Sequence, residues 1–212
     1  MISSPSALEA ESLARRTDAD ADEACALRGR TWALLGALLA RPPDARLLEA
    51  LRQVPAEPAG DGDMEAAWAG LALAAGHADP PSLDDEYHAL FIGVGRGETV
   101  PYASWYLTGL LMEKPLALLR RDLARLGIER SPEVCEPEDH AGALCESMAL
   151  LVDDPDVVAD TERGFFETHI DPWLGRFFED LSRAPSARFY APVAVLGQRF
   201  LALERRYFSL PE

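Results

Sequence analysis

Pro115 to Gly127 reads PLALLRRDLARLG. Leu116, Leu119, Leu123 and Leu126 recur every three or four residues, which places them on one face of an α-helix. Proline suits a first helical turn, where its missing N–H costs nothing, and glycine suits the residue past the end. No period-two alternation competes with this reading.

The same grammar repeats on both sides. Upstream, Leu27, Trp32, Leu34, Leu35, Leu38 and Leu39 share helical spacing from about Asp20 to Ala40, and Pro42-Pro43 stops the run. Asp44 to Arg52 and Asp63 to His77 predict two further helices, the second capped by Asp63. After Pro80-Pro81, Ser82 and Asp85 resemble a capping pair. Tyr87, Leu90 and Phe91 then fall on one face, and Gly93, Gly95 and Gly97 break the chain. A short helix is expected over Ser104 to Leu111. Downstream, Pro137 predicts a helix start and Val152 its end. Asp156 to Ile170, Asp171-Pro172 to Ala184, and Tyr190 to Phe208 complete the set. The fold class is all-α, a single globular domain of about nine or ten helices around one core. Residues 1–18 read as a flexible acidic arm, residues 19–212 as the helical domain, and 128–137 as a candidate hinge.

Composition narrows the function. Thirty-six Asp and Glu face 20 Lys and Arg, a formal net charge of −16. That balance disfavours nucleic acid and anionic membrane, which need basic residues to neutralise phosphate. A hydrophobic content of 48% suits a packed core and is too high for an acidic disordered chain. Lys114 is the sole lysine and no asparagine occurs, a skew that composition bias explains. Uncharged runs such as Thr99 to Met112 fall short of the ~20 residues of a membrane span. No apolar segment follows the N-terminal basic residues, so no export signal is expected and the protein reads as cytoplasmic. Cys25, Cys135 and Cys145 have no metal or redox spacing and read as small buried residues.

Three clusters can carry chemistry. The first is Tyr87-His88-Ala89-Leu90-Phe91 with Gly93 and Gly95, leading to Pro101-Tyr102-Ala103-Ser104. Its glycines follow no strand and precede no Lys-Ser/Thr, so a phosphate loop is disfavoured. An aromatic wall beside a flexible connector suits an apolar peptide. The second is Glu136-Pro137-Glu138-Asp139-His140. On a helix starting at Pro137, His140 joins Leu144, Met148 and Val152 on the apolar stripe, where a histidine is usually a hydrogen-bonded core residue. Glu136, four residues earlier, would favour its protonated form, predicting a binding affinity that changes between pH 6 and 8. No second histidine at ligand spacing supports a metal, and no nucleophile pairs with Asp139 and His140 for catalysis. The third is Phe165, His169 and Trp173 at i, i+4, i+8. It reads as a packed corner at which His169 bonds a backbone carbonyl.

Together these clusters resemble the TorD/DmsD family of redox-enzyme maturation chaperones. Tyr87-x-x-Leu90-Phe91, Pro101-Tyr102-x-Ser104, the E-P-x-D-H motif at 136–140 and Phe165-x-x-x-His169-x-x-x-Trp173 come in that family's order and span about half the chain. The resemblance implies an all-helical, cytoplasmic, non-catalytic protein with no cofactor of its own. It implies binding to the twin-arginine leader, and to the body, of a molybdopterin oxidoreductase precursor until its cofactor is inserted. The leader surface would use Tyr87, Leu90, Phe91, Pro101, Tyr102, Ser104, Glu136, Pro137, Asp139 and His140. Gly93, Gly95, Phe165, His169 and Trp173 would be structural. Overall likeness points to a formate-dehydrogenase-like client. Monomer and dimer both occur in such a family, as does weak GTP binding, and this sequence assigns neither.

A leader joins an arginine pair to an apolar, helix-prone stretch. The stretch wants a hydrophobic groove, for which Leu90, Phe91 and Tyr102 are candidates, and the pair wants carboxylates such as Glu136, Glu138 and Asp139. Burying an apolar side chain contributes roughly 1.5–3 kcal/mol and an exposed ion pair about 0–1, so the groove should dominate. On that reasoning Leu90→Asp weakens binding more than Asp139→Asn. Two other readings stay open: a small helical enzyme or metal protein using Asp139 and His140, and a generic acidic adaptor.

Overall fold

The computed structural model describes residues 7–57 and 62–210, with side chains described from residue 22 onward. Among them are ten α-helices: α1 (Ala7–Ala40), α2 (Ala45–Arg52), α3 (Asp63–His77), α4 (Pro80–Tyr87), α5 (Ala103–Thr108), α6 (Lys114–Arg125), α7 (Ala141–Asp153), α8 (Ala159–Phe165), α9 (Leu174–Arg183) and α10 (Tyr190–Ser209). Helices α4 and α8 each run on into a π-helical turn, His88–Ile92 and Phe166–Ile170. The all-α expectation and the number of helices hold.

Packing follows the apolar stripes. Helix α1 lies along α7, and α10 packs on α9 and α3. Gly36 and Gly142 sit where α1 and α7 approach most closely. A Cβ on Gly36 would lie 3.2 Å from the Gly142 carbonyl, and one on Gly142 would lie 3.1 Å from the Gly36 carbonyl. Only hydrogen fits at both positions without the helices parting. Trp32, Phe166, Phe200, Trp173, Phe177, Phe178 and Tyr190 fill the interior. Trp32 packs edge-on to Phe200, with centroids 4.9 Å apart.

One charged group lies inside this core. Arg28 donates from Nε to Glu204 at 2.6 Å and from Nη2 to the other Glu204 oxygen at 2.8 Å, and it also bonds Glu162. Trp32 Nε1 donates to the same Glu204 carboxylate at 3.0 Å. The guanidinium carbon stands 3.7 Å from the Tyr207 ring centroid. Burial works against the charge of Arg28, yet Glu204 and Glu162 hold its pKa above the ordinary arginine value.

Several boundaries differ from the sequence reading. Helix α1 begins at Ala7 rather than near Asp20, and residues 1–6 of the expected arm lie outside the described residues. Asp63 is the first residue of α3, not its cap; Gly62 holds that position. Helix α4 is capped by Asp79, which accepts from Ser82 N–H at 3.2 Å and from its hydroxyl at 2.8 Å, so Ser82 and Asp85 are no capping pair. Asp171 does not cap α9, which starts at Leu174 after the π turn has consumed the corner. Cys135 is exposed and Cys25 half-buried; of the three only Cys145 is buried.

The largest correction concerns Pro137. The helix expected there starts at Ala141 instead. The Pro137 carbonyl accepts from His140 N–H at 3.1 Å, closing a turn. His140 then pairs with Tyr102 in an isolated antiparallel bridge. The tertiary contact wins over the local proline signal, because the bridge holds His140 in extended form and the helix starts only at Ala141.

Candidate functional site

The E-P-x-D-H segment is a joint between two helix starts. Ala103 N–H donates to the Asp139 carbonyl at 2.9 Å, and Ala141 N–H donates to the Pro101 carbonyl at 2.8 Å. These two bonds tie the start of α5 to the start of α7. Asp139 then reaches across: its carboxylate accepts from Ser104 N–H at 2.9 Å and so caps α5 from 35 residues away. His140 caps its own helix, Nδ1 accepting from Gly142 N–H at 3.1 Å. That bond assigns the Nε2–H tautomer to the ring.

Both caps are buried, Asp139 to 1% exposure and His140 to 5%. Burial lowers the His140 pKa to about 4, although Glu136 and Asp139 pull the other way. The sequence expectation of a proton switch between pH 6 and 8 is therefore corrected. It assumed a helical Glu136–His140 pair with a solvated ring, and the segment is not helical and the ring is buried. Tyr102 stacks edge-on to His140 at 5.2 Å and donates its hydroxyl to Glu136.

Asp139→Ala should leave the Ser104 N–H buried without an acceptor. The expected cost is about 1–3 kcal/mol in thermal or urea unfolding, with Asp139→Asn closer to wild type because an acceptor remains. Equal stability of both variants would show that the cross-element cap contributes nothing.

The structure gathers Pro101, Tyr102, Ser104, Glu136, Pro137, Asp139 and His140 into this joint. Tyr87 stands near enough that Glu136, after burial, helps raise its pKa to about 12. Its hydroxyl donates to the Leu39 carbonyl at 3.0 Å, and its ring lies 4.8 Å from that of Phe91. Leu90 offers no surface: it is wholly buried, and its carbonyl accepts from Thr99 N–H at 2.8 Å. Leu90→Asp would therefore report on folding before binding. Gly93 turns the chain after the first π turn at φ 60°, where any Cβ would meet the Arg96 carbonyl at 2.1 Å; Gly95 also has positive φ.

His169 is not bonded to a corner carbonyl as expected. Its Nε2 faces Asp122 at 3.1 Å, while Trp173 Nε1 donates to the His169 carbonyl at 2.8 Å. Arg121 and Arg125 also meet Asp122, at 3.3 and 3.1 Å.

Beside the joint lies a depression of about 410 Å³. Ala103, Leu107, Pro115, Leu118, Leu119 and Leu144 line it, with Asp139, Lys114 and His169 at its polar edge. Leu107, on its lining, leads into an exposed apolar segment: Leu110 is 60% and Met112 74% accessible, with Leu111 between them. Met112 has φ 58°, the one non-glycine positive φ among the described residues. The sequence reading places these residues, as far as Leu111, in a short helix and does not mark them as surface; α5 ends at Thr108 instead. Among the described residues no group of His, Cys, Asp and Glu is arranged to hold a metal, and no helix is long and apolar enough to cross a membrane.

An all-helical domain whose histidine and aspartate are spent on helix caps, beside an apolar depression, is built for binding. Residues 57–179 match the family described as nitrate reductase delta subunit, and the chain belongs to that family, the TorD-like redox-enzyme maturation chaperones. It is 27% identical to a chaperone protein TorD of Shewanella loihica over 84% of this chain and 90% of that one. It is 30% identical to a probable Tat proofreading chaperone DmsD of Haemophilus influenzae over 54% of this chain and 56% of that one. A solved chain from Archaeoglobus fulgidus, described as a redox enzyme maturation protein, shares the fold with a TM-score of 0.55 and 21% identity, covering 82% of this chain and 93% of that one. The relatives are chaperones, not enzymes, and the chain is a maturation chaperone of their kind.

Proposed function

We propose that this chaperone binds the twin-arginine leader, and the body, of a molybdopterin oxidoreductase precursor in the cytoplasm, and holds it until the cofactor is inserted. The observation that carries the reading is the apolar depression abutting Asp139, from whose lining residue Leu107 an exposed apolar segment continues to Met112. Monomeric proteins seldom expose a contiguous apolar patch without using it. A leader's apolar stretch would lie in the depression, its side chains exchanging water for Leu107 and Leu118. The joint supplies the other half: Glu136 is exposed, on a segment that two backbone bonds fix in place. Tyr87, Leu90 and Phe91 would form the packed wall that holds the joint in position.

Titration calorimetry with a client leader peptide tests this. Leu118→Asp, on a partly exposed residue, should weaken binding at least tenfold and leave the melting temperature within a few degrees of wild type. Undiminished affinity would move the leader elsewhere. Co-purification from the native host identifies the client, with a formate dehydrogenase precursor expected.

A further inference from the structure

Glu138 is the one carboxylate of the joint that already carries guanidinium groups. Arg120, on α6, places Nε and Nη2 each 2.8 Å from Oε2. Arg130, on the connector after α6, brings Nε to 3.5 Å from Oε1. The exposures are unequal: the Glu138 side chain is 16% accessible, against 53% for Arg120 and 40% for Arg130. The acid is thus the covered partner and the two arginines are its solvent-facing lid. Its platform is rigid, since its neighbour Asp139 is bonded to α5 through both backbone and side chain. Beside it, a second depression of about 330 Å³ is lined by Met112, Leu116, Arg120 and Pro137. That space suits the aliphatic stem of a long cationic side chain.

We infer that Arg120 and Arg130 are stand-ins for the leader's arginine pair, occupying Glu138 until the leader displaces them, and that a guanidinium, but not an ammonium, completes this exchange. This rests on the leader reading above. The chemistry is a like-for-like swap. An incoming guanidinium can replace the planar, two-donor contact that Arg120 gives up. An ammonium cannot reproduce it, so a lysine pair leaves the lid in place. On a chain of charge −16, an acid so covered is also withheld from casual cations.

Fluorescence anisotropy with labelled leader peptides carrying Arg-Arg or Lys-Lys tests the exchange. The Arg120→Gln/Arg130→Gln double variant should bind the Arg-Arg leader about three- to tenfold more tightly, because two exposed pairs no longer compete. The Lys-Lys leader, which reaches Glu138 only through the weaker ammonium pair, should gain less, so discrimination widens. Arg120→Gln alone should show part of the effect and guards against loss of the Arg130 contacts to the connector. In a Glu138→Gln background the same substitutions should change nothing, as a double-mutant cycle requires. Unchanged or weaker Arg-Arg binding in the double variant overturns the inference. Absence of leader binding by the wild type overturns the leader reading itself, and the two failures are distinguishable in one experiment.

Discussion

Arg28→Met should lower the free energy of unfolding by about 3–5 kcal/mol, the cost of leaving a buried charge without its partner. Glu204 is wholly buried and Glu162 nearly so. With the guanidinium gone, two carboxylates face each other in the core. Trp32 Nε1 remains as a donor, but it carries no charge. The Tyr207 ring loses the cation over its face, and the aliphatic part of Arg28 is replaced without a polar head. Urea unfolding should show a lower midpoint with an unchanged slope. Adding Glu204→Gln and Glu162→Gln should recover much of the loss, because the uncompensated charge is what costs. A loss below about 1 kcal/mol in the single variant would mean that solvent reaches the network.

The second large effect is acid sensitivity. His140 has a folded pKa of about 4 against 6.5 for an ordinary ring. Between these values the unfolded chain binds a proton that the folded chain refuses. Stability from this group is therefore complete above about pH 6.5 and drains away as pH falls toward 4. A shift of that size corresponds to roughly 3 kcal/mol. Protonation also removes the Nδ1 acceptor from Gly142, so the α7 cap fails together with the desolvated charge. His140→Asn keeps an acceptor at the cap and removes the titration. Its stability should be nearly level across this window after the contribution of His169 is subtracted; burial lowers that pKa too, against the pull of Asp122. A wild-type slope retained in His140→Asn would assign the acid sensitivity elsewhere. Leader affinity itself should be flat from pH 6 to 8, since His140 stays neutral throughout.

The helices were legible because leucine stripes and proline or glycine punctuation are local signals. Helix α6 is the clear case: Leu116, Leu119 and Leu123 are buried as their spacing demands. The starts were less legible. Pro137 and Asp171-Pro172 both signal a helix locally, and both are overruled, one by the bridge to Tyr102 and the other by a π turn. The site was legible as a set of residues but not as roles. Asp139 and His140 looked like polar groups awaiting a ligand. Their partners, Ser104 N–H and Gly142 N–H, are backbone atoms, which no side-chain pattern displays. Leu90 looked like a groove residue because helical spacing says which residues share a face, not whether that face meets solvent. The Leu107–Met112 segment was hidden for the same reason: Leu107, Leu110 and Leu111 have helical spacing, yet α5 ends at Thr108 and all three are exposed.

The long-range caps bear on the order in which the chain can fold. Asp139 closes the start of α5 from 35 residues downstream. Glu86 accepts from the backbone N–H groups of Arg188, Phe189 and Tyr190, and so closes the start of α10 across 102 to 104 residues. Glu98 holds Ser186 in the same way across 88. The Glu86 and Glu98 bonds cannot form before residues 186–190 have emerged, however well the earlier helices are coiled. Loop-closure entropy must be met first, and the reward comes late. A nascent chain of this protein should thus remain loosely joined at the α4 end until α10 emerges. Emergence of α10, rather than the assembly of any earlier helix, would be the event that locks the α4 and α10 ends together.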